Sequence, residues 1–188
     1  MDAQRYAAAY DGFTEFLEKW PEHAESVGAR PLRGFAALQV GLLEEAKQDA
    51  TEYLATTAVK MPAYIGKAHV VLGEVASARG DLAQAQQEFL LVTGDPYLVP
   101  SAMGGLAYCR AKQGDFRGAM DYVLKAADGC TDFPWCAPPY LYLAARLARK
   151  VGDQATFNAV RNRMISEFPR DTMTTQLVGY QVAPIPAI

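Results

Sequence analysis

Positive charge is scarce in this 188-residue sequence, where 18 Lys and Arg face 21 Asp and Glu for a net charge of −3. A protein that displaces counterions from nucleic acid needs a concentrated basic surface. Here the cations are outnumbered and dispersed, so neither nucleic acid nor an anionic membrane surface is an expected partner. No apolar stretch approaches the ~20 residues that cross a bilayer, and FLLVTGDPYLV is cut by a turn in its middle. No direct membrane span is expected. The opening residues, MDAQRYAAAYDGF, lack the basic segment and apolar core of an export leader, although a sequence that begins after a removed leader would look the same.

Catalytic and metal-binding residue types are equally sparse. His23 and His69 are the two histidines. His69 falls where a large inward-packing residue is expected, so a packed imidazole is the natural reading. The three cysteines are Cys109, Cys130 and Cys136. Cys109 sits in an apolar helical stretch and reads as a small buried hydrophobe. Cys130 and Cys136 bracket TDFPW. They could be stapled in an oxidising compartment, or remain two unpaired loop thiols. Their spacing is not a zinc knuckle, and no nearby His completes four ligands. GDFRGA and MGGLA place glycines in a turn and a helix, not in a phosphate cradle. No cofactor, no metal and no enzyme activity are expected. The tripeptide Arg79-Gly80-Asp81 spells an adhesion motif, but a turn explains its Gly and Asp completely.

What the chain does have is alanine, aromatics and a repeat. Half of it is apolar and about a fifth charged, enough to bury a core, and the scarcity of β-branched runs leans helical. ARGDLAQA at 78–85 returns as KQGDFRGA at 112–119. Aligning Gly80 with Gly114 brings Gly73 onto Ala107, Asp81 onto Asp115 and Ala85 onto Ala119. The pattern returns at Ala144, Ala145, Gly152 and Asp153, after an insertion that fits the loop DGCTDFPWCAPP. Glycine ends one helix in the left-handed conformation. Aspartate then caps the next. The small residues let paired helices approach, and Phe89 fills the space between neighbours. The helices read as 3–19, 30–40, 43–58, 63–79, 82–93, 100–113, 116–127, 139–151, 154–167 and 171–181, with prolines between them.

A period of 34 residues (Gly80 to Gly114) with this pattern resembles the tetratricopeptide repeat. The resemblance implies an all-α, right-handed α-solenoid of helix–turn–helix repeats over residues 1–188. Its parts would be a half repeat at 1–22, a degenerate repeat at 26–60, repeats at 63–99, 100–133 and 138–170, a capping helix at 171–182 and a tail at 183–188. Residues 6–21 read as the second helix of a unit whose first helix is missing, so a longer precursor is expected. Gly41 and Ala46 stand at the turn and close contact of the degenerate unit, and Phe168-Pro169 closes the last. Phe157 occupies a place usually small, so that hairpin is expected to splay.

In this family the first helices line a concave groove. Carried onto this chain, the exposed positions are Lys67, Val70, Glu74 and Ser77, then Ser101, Gly104, Tyr108 and Ala111, then Pro139, Tyr142, Arg146 and Arg149, with Lys112 beside Tyr108. Tyr and Arg carry much of the energy at interfaces. The clamp that holds chaperone tails needs Lys and Asn, then Lys and Arg, whereas Val70, Val71, Glu74, Ser101 and Gly105 stand in their places. A second resemblance joins PYLYLAARLARKVGDQATFNAVRNRMISEFPRD to the C-terminal repeat of the type IV pilus pilotins, without their lipidated cysteine. It implies a secretin partner, a periplasmic setting and a Cys130–Cys136 bridge. The expected function is a non-enzymatic scaffold or adaptor that binds a peptide or helix of a partner protein, in a bacterial envelope, pilus or secretion assembly. A secretion chaperone and a self-assembling homo-oligomer are the alternatives, the second motivated by the unpaired apolar face of helix 3–19, and the compartment stays open between envelope and cytoplasm.

Overall fold

The computed structural model describes residues 3–56 and 60–179. Among these the chain is helical, without strands: α1 Ala3–Lys19, α2 Ser26–Gln39, α3 Leu43–Ala55, α4 Pro62–Ala78, α5 Leu82–Leu90, α6 Leu98–Lys112, α7 Phe116–Asp128, α8 Ala137–Lys150, α9 Gln154–Glu167 and α10 Thr172–Gly179. A short 3-10 turn, Pro134–Cys136, precedes α8. The all-α fold of consecutive helical hairpins is the one the repeat implied. Residues 57–58 of the expected third helix, the end of the capping helix from 180, and the tail at 183–188 lie outside the described residues.

One clasp closes four hairpins. Gly41, Gly80, Gly114 and Gly152 have φ of 84°, 81°, 82° and 72°, a conformation that side chains with a Cβ resist. In each clasp the glycine N–H donates to a carbonyl three residues back. The N–H of the next residue donates five back, as Asp81 does to Ala76 at 2.9 Å and Asp115 to Arg110 at 3.0 Å. This pair of bonds satisfies carbonyls that a helix end leaves without partners. Asp81, Asp115 and Asp153 then accept from the backbone N–H of Gln84, Gly118 and Thr156 at 3.0, 2.8 and 3.0 Å. The degenerate α2–α3 hairpin has Leu42 at this place and no side-chain cap.

Several helices begin earlier than the sequence indicates. The expected 30–40 helix, α2, starts at Ser26, whose hydroxyl donates to the Trp20 carbonyl at 2.5 Å. That anchor sets the helix before Pro31, which lies buried inside it. Pro100 and Pro138 sit in the first turns of α6 and α8, where a missing N–H leaves nothing unsatisfied. Asp95 starts α6 by accepting from Tyr97 and Leu98 at 2.8 and 3.0 Å.

The chain divides into two compact units, residues 1–105 and 106–188, with the division inside α6. In the first, Ala37, Ala46, Ala50, Tyr53, Ala68, Val71 and Val75 form a core between α2, α3 and α4. Across α2 and α3, Arg33 Nε and Nη2 donate to the two oxygens of buried Asp49 at 2.8 and 2.7 Å. The Phe89 ring is enclosed by glycines on two helices. A Cβ added at Gly73 would fall 2.6 Å from it, and one at Gly105 2.4 Å. In the second unit Ala107, Met120, Val123, Leu141, Ala144, Ala145, Ala148, Phe157, Val160, Met164 and Leu177 share one core. Phe157, expected to splay its hairpin, is buried there among the small side chains of α8.

Candidate partner-binding face

The expected groove residues fall into both units, and each set is described by itself. In the second unit they lie on α6 and α8. α8 presents Tyr142, Arg146 and Arg149 at intervals of four and three residues, which places them along one helical stripe. They line a hollow of about 200 Å³ together with Leu177 from α10. Leu177 is buried, Tyr142 and Arg149 are half-buried, and Arg146 is exposed. The Arg149 guanidinium lies 5.8 Å from the centre of the Phe157 ring on α9. On α6, Tyr108 is exposed and the Lys112 ammonium sits 5.4 Å from its ring centre. This unit therefore offers aromatic area, directional cationic donors and an apolar floor. Leu177 was not foreseen, although it is the buried leucine of the capping helix and so the side chain fit to close the hollow.

The first unit treats its set differently. Val70 is 3% exposed and Ser77 9%, so both are packing residues and not a face for a partner. Repeat position alone had suggested exposure, but the apolar α4 is buried along much of its length, with Gly66, Ala68, Val71, Gly73, Val75 and Ala76 inside as well. Lys67 is half-buried with its ammonium 4.7 Å from the Phe35 ring centre. Burial lowers its pKa against an opposing pull from Asp95. Glu74 is half-buried, and desolvation raises its pKa.

An apolar groove of about 460 Å³ runs between α1 and α2. It is lined by Gly12, Phe13 and Phe16 on α1, Gly28 and Leu32 on α2, and Tyr64 on α4. Phe13 and Phe16, spaced i, i+3, belong to the apolar face of 3–19 that motivated the self-assembly alternative.

The remaining candidates resolve into structure. His69 Nδ1 lies 2.8 Å from Glu88 Oε2, tying α4 to α5. Cys109 is buried. Arg79 pairs with Glu44, Gly80 makes the clasp and Asp81 caps α5, so each residue of the adhesion tripeptide has a fold-level role. Cys130 and Cys136 are joined by a disulfide. The loop it closes exposes Trp135, whose ring stacks edge-on against Phe133 at 6.3 Å. Among the described residues no three His, Cys, Asp or Glu side chains are grouped to hold a metal, and no helix is long and apolar enough to cross a membrane.

No family model matches the sequence, and no curated protein matches it significantly. The fold has solved counterparts. PlcR of Bacillus thuringiensis, in complex with the peptide PapR7 and DNA, matches with a TM-score of 0.69 at 14% identity, over 96% of this chain and 70% of that one. PilF of Pseudomonas aeruginosa matches with a TM-score of 0.59 at 20% identity, over 94% of this chain and 80% of that one. Both are tetratricopeptide-like helical-repeat proteins, and this chain has that fold.

Proposed function

We propose that this protein is a non-enzymatic adaptor that holds a segment of a partner protein against the first-helix face of its second unit. The observation that carries the reading is the convergence of Tyr142, Arg146 and Arg149 with Leu177 around one hollow. A preformed site built on helices spends little of its binding energy on ordering itself, and Tyr and Arg supply contact area and directional donors. The peptide present in the PlcR complex gives the same fold a precedent in peptide binding. The likeness to PilF and the Cys130–Cys136 bridge, which suits an oxidising compartment, support a place in a bacterial envelope assembly.

Tyr108→Ala and Arg146→Ala test the reading, because both side chains are exposed and neither is part of the core. Partner capture by immobilised protein should fall about tenfold or more in each variant, the order of a hot-spot residue. The helical circular-dichroism signal should stay unchanged. Equal capture by both variants and the parent would refute the face.

The groove between α1 and α2 favours a second reading, self-assembly. Its apolar lining is of the kind that accepts a helix, and a neighbouring copy would be the donor. Light scattering from 1 to 20 mg/ml, as rough bounds for weak dimers, decides it: an unchanging monomer mass removes this reading.

A further inference from the structure

We propose that the hollow between α8 and α10 selects an acidic segment, in which an aliphatic side chain is flanked by side-chain carboxylates. The inference rests on the adaptor reading and adds the chemistry of the partner.

Charge points to it first. α8, APPYLYLAARLARK, carries Arg146, Arg149 and Lys150 and no carboxylate, and α10, TMTTQLVG, carries no charge. The two helices that bound the hollow therefore contribute cations alone. Arg30, Arg33, Arg79, Arg110 and Arg163 each pair with a carboxylate of the protein itself. Arg146 makes no such pair among the described residues, and it stands exposed at the rim. A guanidinium is a fixed fork that matches a carboxylate with two parallel hydrogen bonds. A carboxylate on a segment crossing α8 would meet Arg146 at the rim, with the positive charge of Arg149 one turn further along the same stripe.

Size and lining specify the rest. At about 200 Å³ the hollow falls below the ~300–1,000 Å³ of small-molecule sites, and it suits one side chain of a longer ligand. Its floor is Leu177 and its wall the Tyr142 ring, so that side chain is aliphatic. A nucleic-acid strand fits less well, since it asks for a long basic track, and the whole chain is acidic.

The test uses the full chain, labelled with ¹⁵N, with an oligothymidylate and three capped peptides: Gly-Glu-Leu-Glu-Gly and its analogues with both Glu replaced by Gln or by Lys. Capping removes terminal charges, so only side-chain carboxylates differ. The Glu peptide should shift amide signals of α8 and α10 and bind about threefold more tightly than the Gln peptide, as one exposed ion pair at Arg146 allows. The preference should shrink with added salt and disappear in Arg146→Gln, which keeps a long polar side chain and disturbs no internal pair. Equal binding of the Gln or Lys peptide at these signals overturns the acidic preference and leaves the adaptor face standing. Silence of α8 and α10 towards all three peptides sinks both readings. Tighter binding of an oligothymidylate at the same signals replaces the acidic segment by a nucleic-acid ligand.

Discussion

Glu74, expected from its repeat position on the groove, carries an electrostatic cost that the sequence does not announce. It lies on α4, half-buried, and desolvation raises its pKa. The folded state therefore binds its proton more tightly than the unfolded chain does. The associated stability is complete below the unfolded pKa and is lost as pH rises through the folded one. Glu74→Gln should consequently raise the urea midpoint at pH 7 and lose that advantage towards pH 3. A variant as stable as the parent at both pH values would remove desolvation as the cause. The Arg33–Asp49 pair is the opposite kind of residue-scale finding. Its partners lie 16 residues apart on the two helices of the degenerate hairpin, outside any recurring motif, and nothing in the sequence marks them. Val70 was misplaced because repeat position predicts which way a side chain points, whereas burial depends on what packs over it.

At the scale of elements, the sequence was most informative where backbone geometry narrows the choice of residue. A left-handed turn followed by a cap leaves few alternatives to Gly-Asp, so all three Gly-Asp clasps could be read directly. Gly41 could be found by analogy even without its aspartate. Helix starts were less legible. Proline is tolerated in a first turn and can also be carried further inside, as Pro31 is, so its position alone does not locate the end. The packing of Phe89 was foreseen as filler between neighbouring helices, but not the need for glycine on both sides. Phe89→Ala should lower unfolding free energy by about 3–5 kcal/mol in urea titration, because two bare backbones have no side chains to collapse into the vacancy. A loss below ~1 kcal/mol would mean that α4 and α6 close the gap.

For the molecule as a whole, the sequence established the class of fold and the sparsity of catalytic groups, since both follow from composition and periodicity. The face was legible in part. Tyr142, Arg146 and Arg149 came from repeat position, while their apolar floor, Leu177, required the capping helix to be folded against α8. The state of Cys130 and Cys136 could not be read, because two thiols six residues apart are compatible with either form until the loop is built. Their bridge closes a short loop between α7 and α8. By the chain-entropy relation, opening it should cost about 2 kcal/mol. Cys130→Ser combined with Cys136→Ser should therefore lower the thermal midpoint, and a reducing agent should do the same to the parent but not to the double variant. An unchanged midpoint in both experiments would show that the loop is held by its other contacts.

The enclosure of Phe89 also constrains how this fold can drift. A methyl group cannot be added at Gly73 or Gly105 while the aromatic ring remains, and the ring cannot shrink without leaving room at both. Positions 73, 89 and 105 should therefore change together among descendants of this sequence, with alanines arriving on the flanking helices as the central side chain becomes smaller.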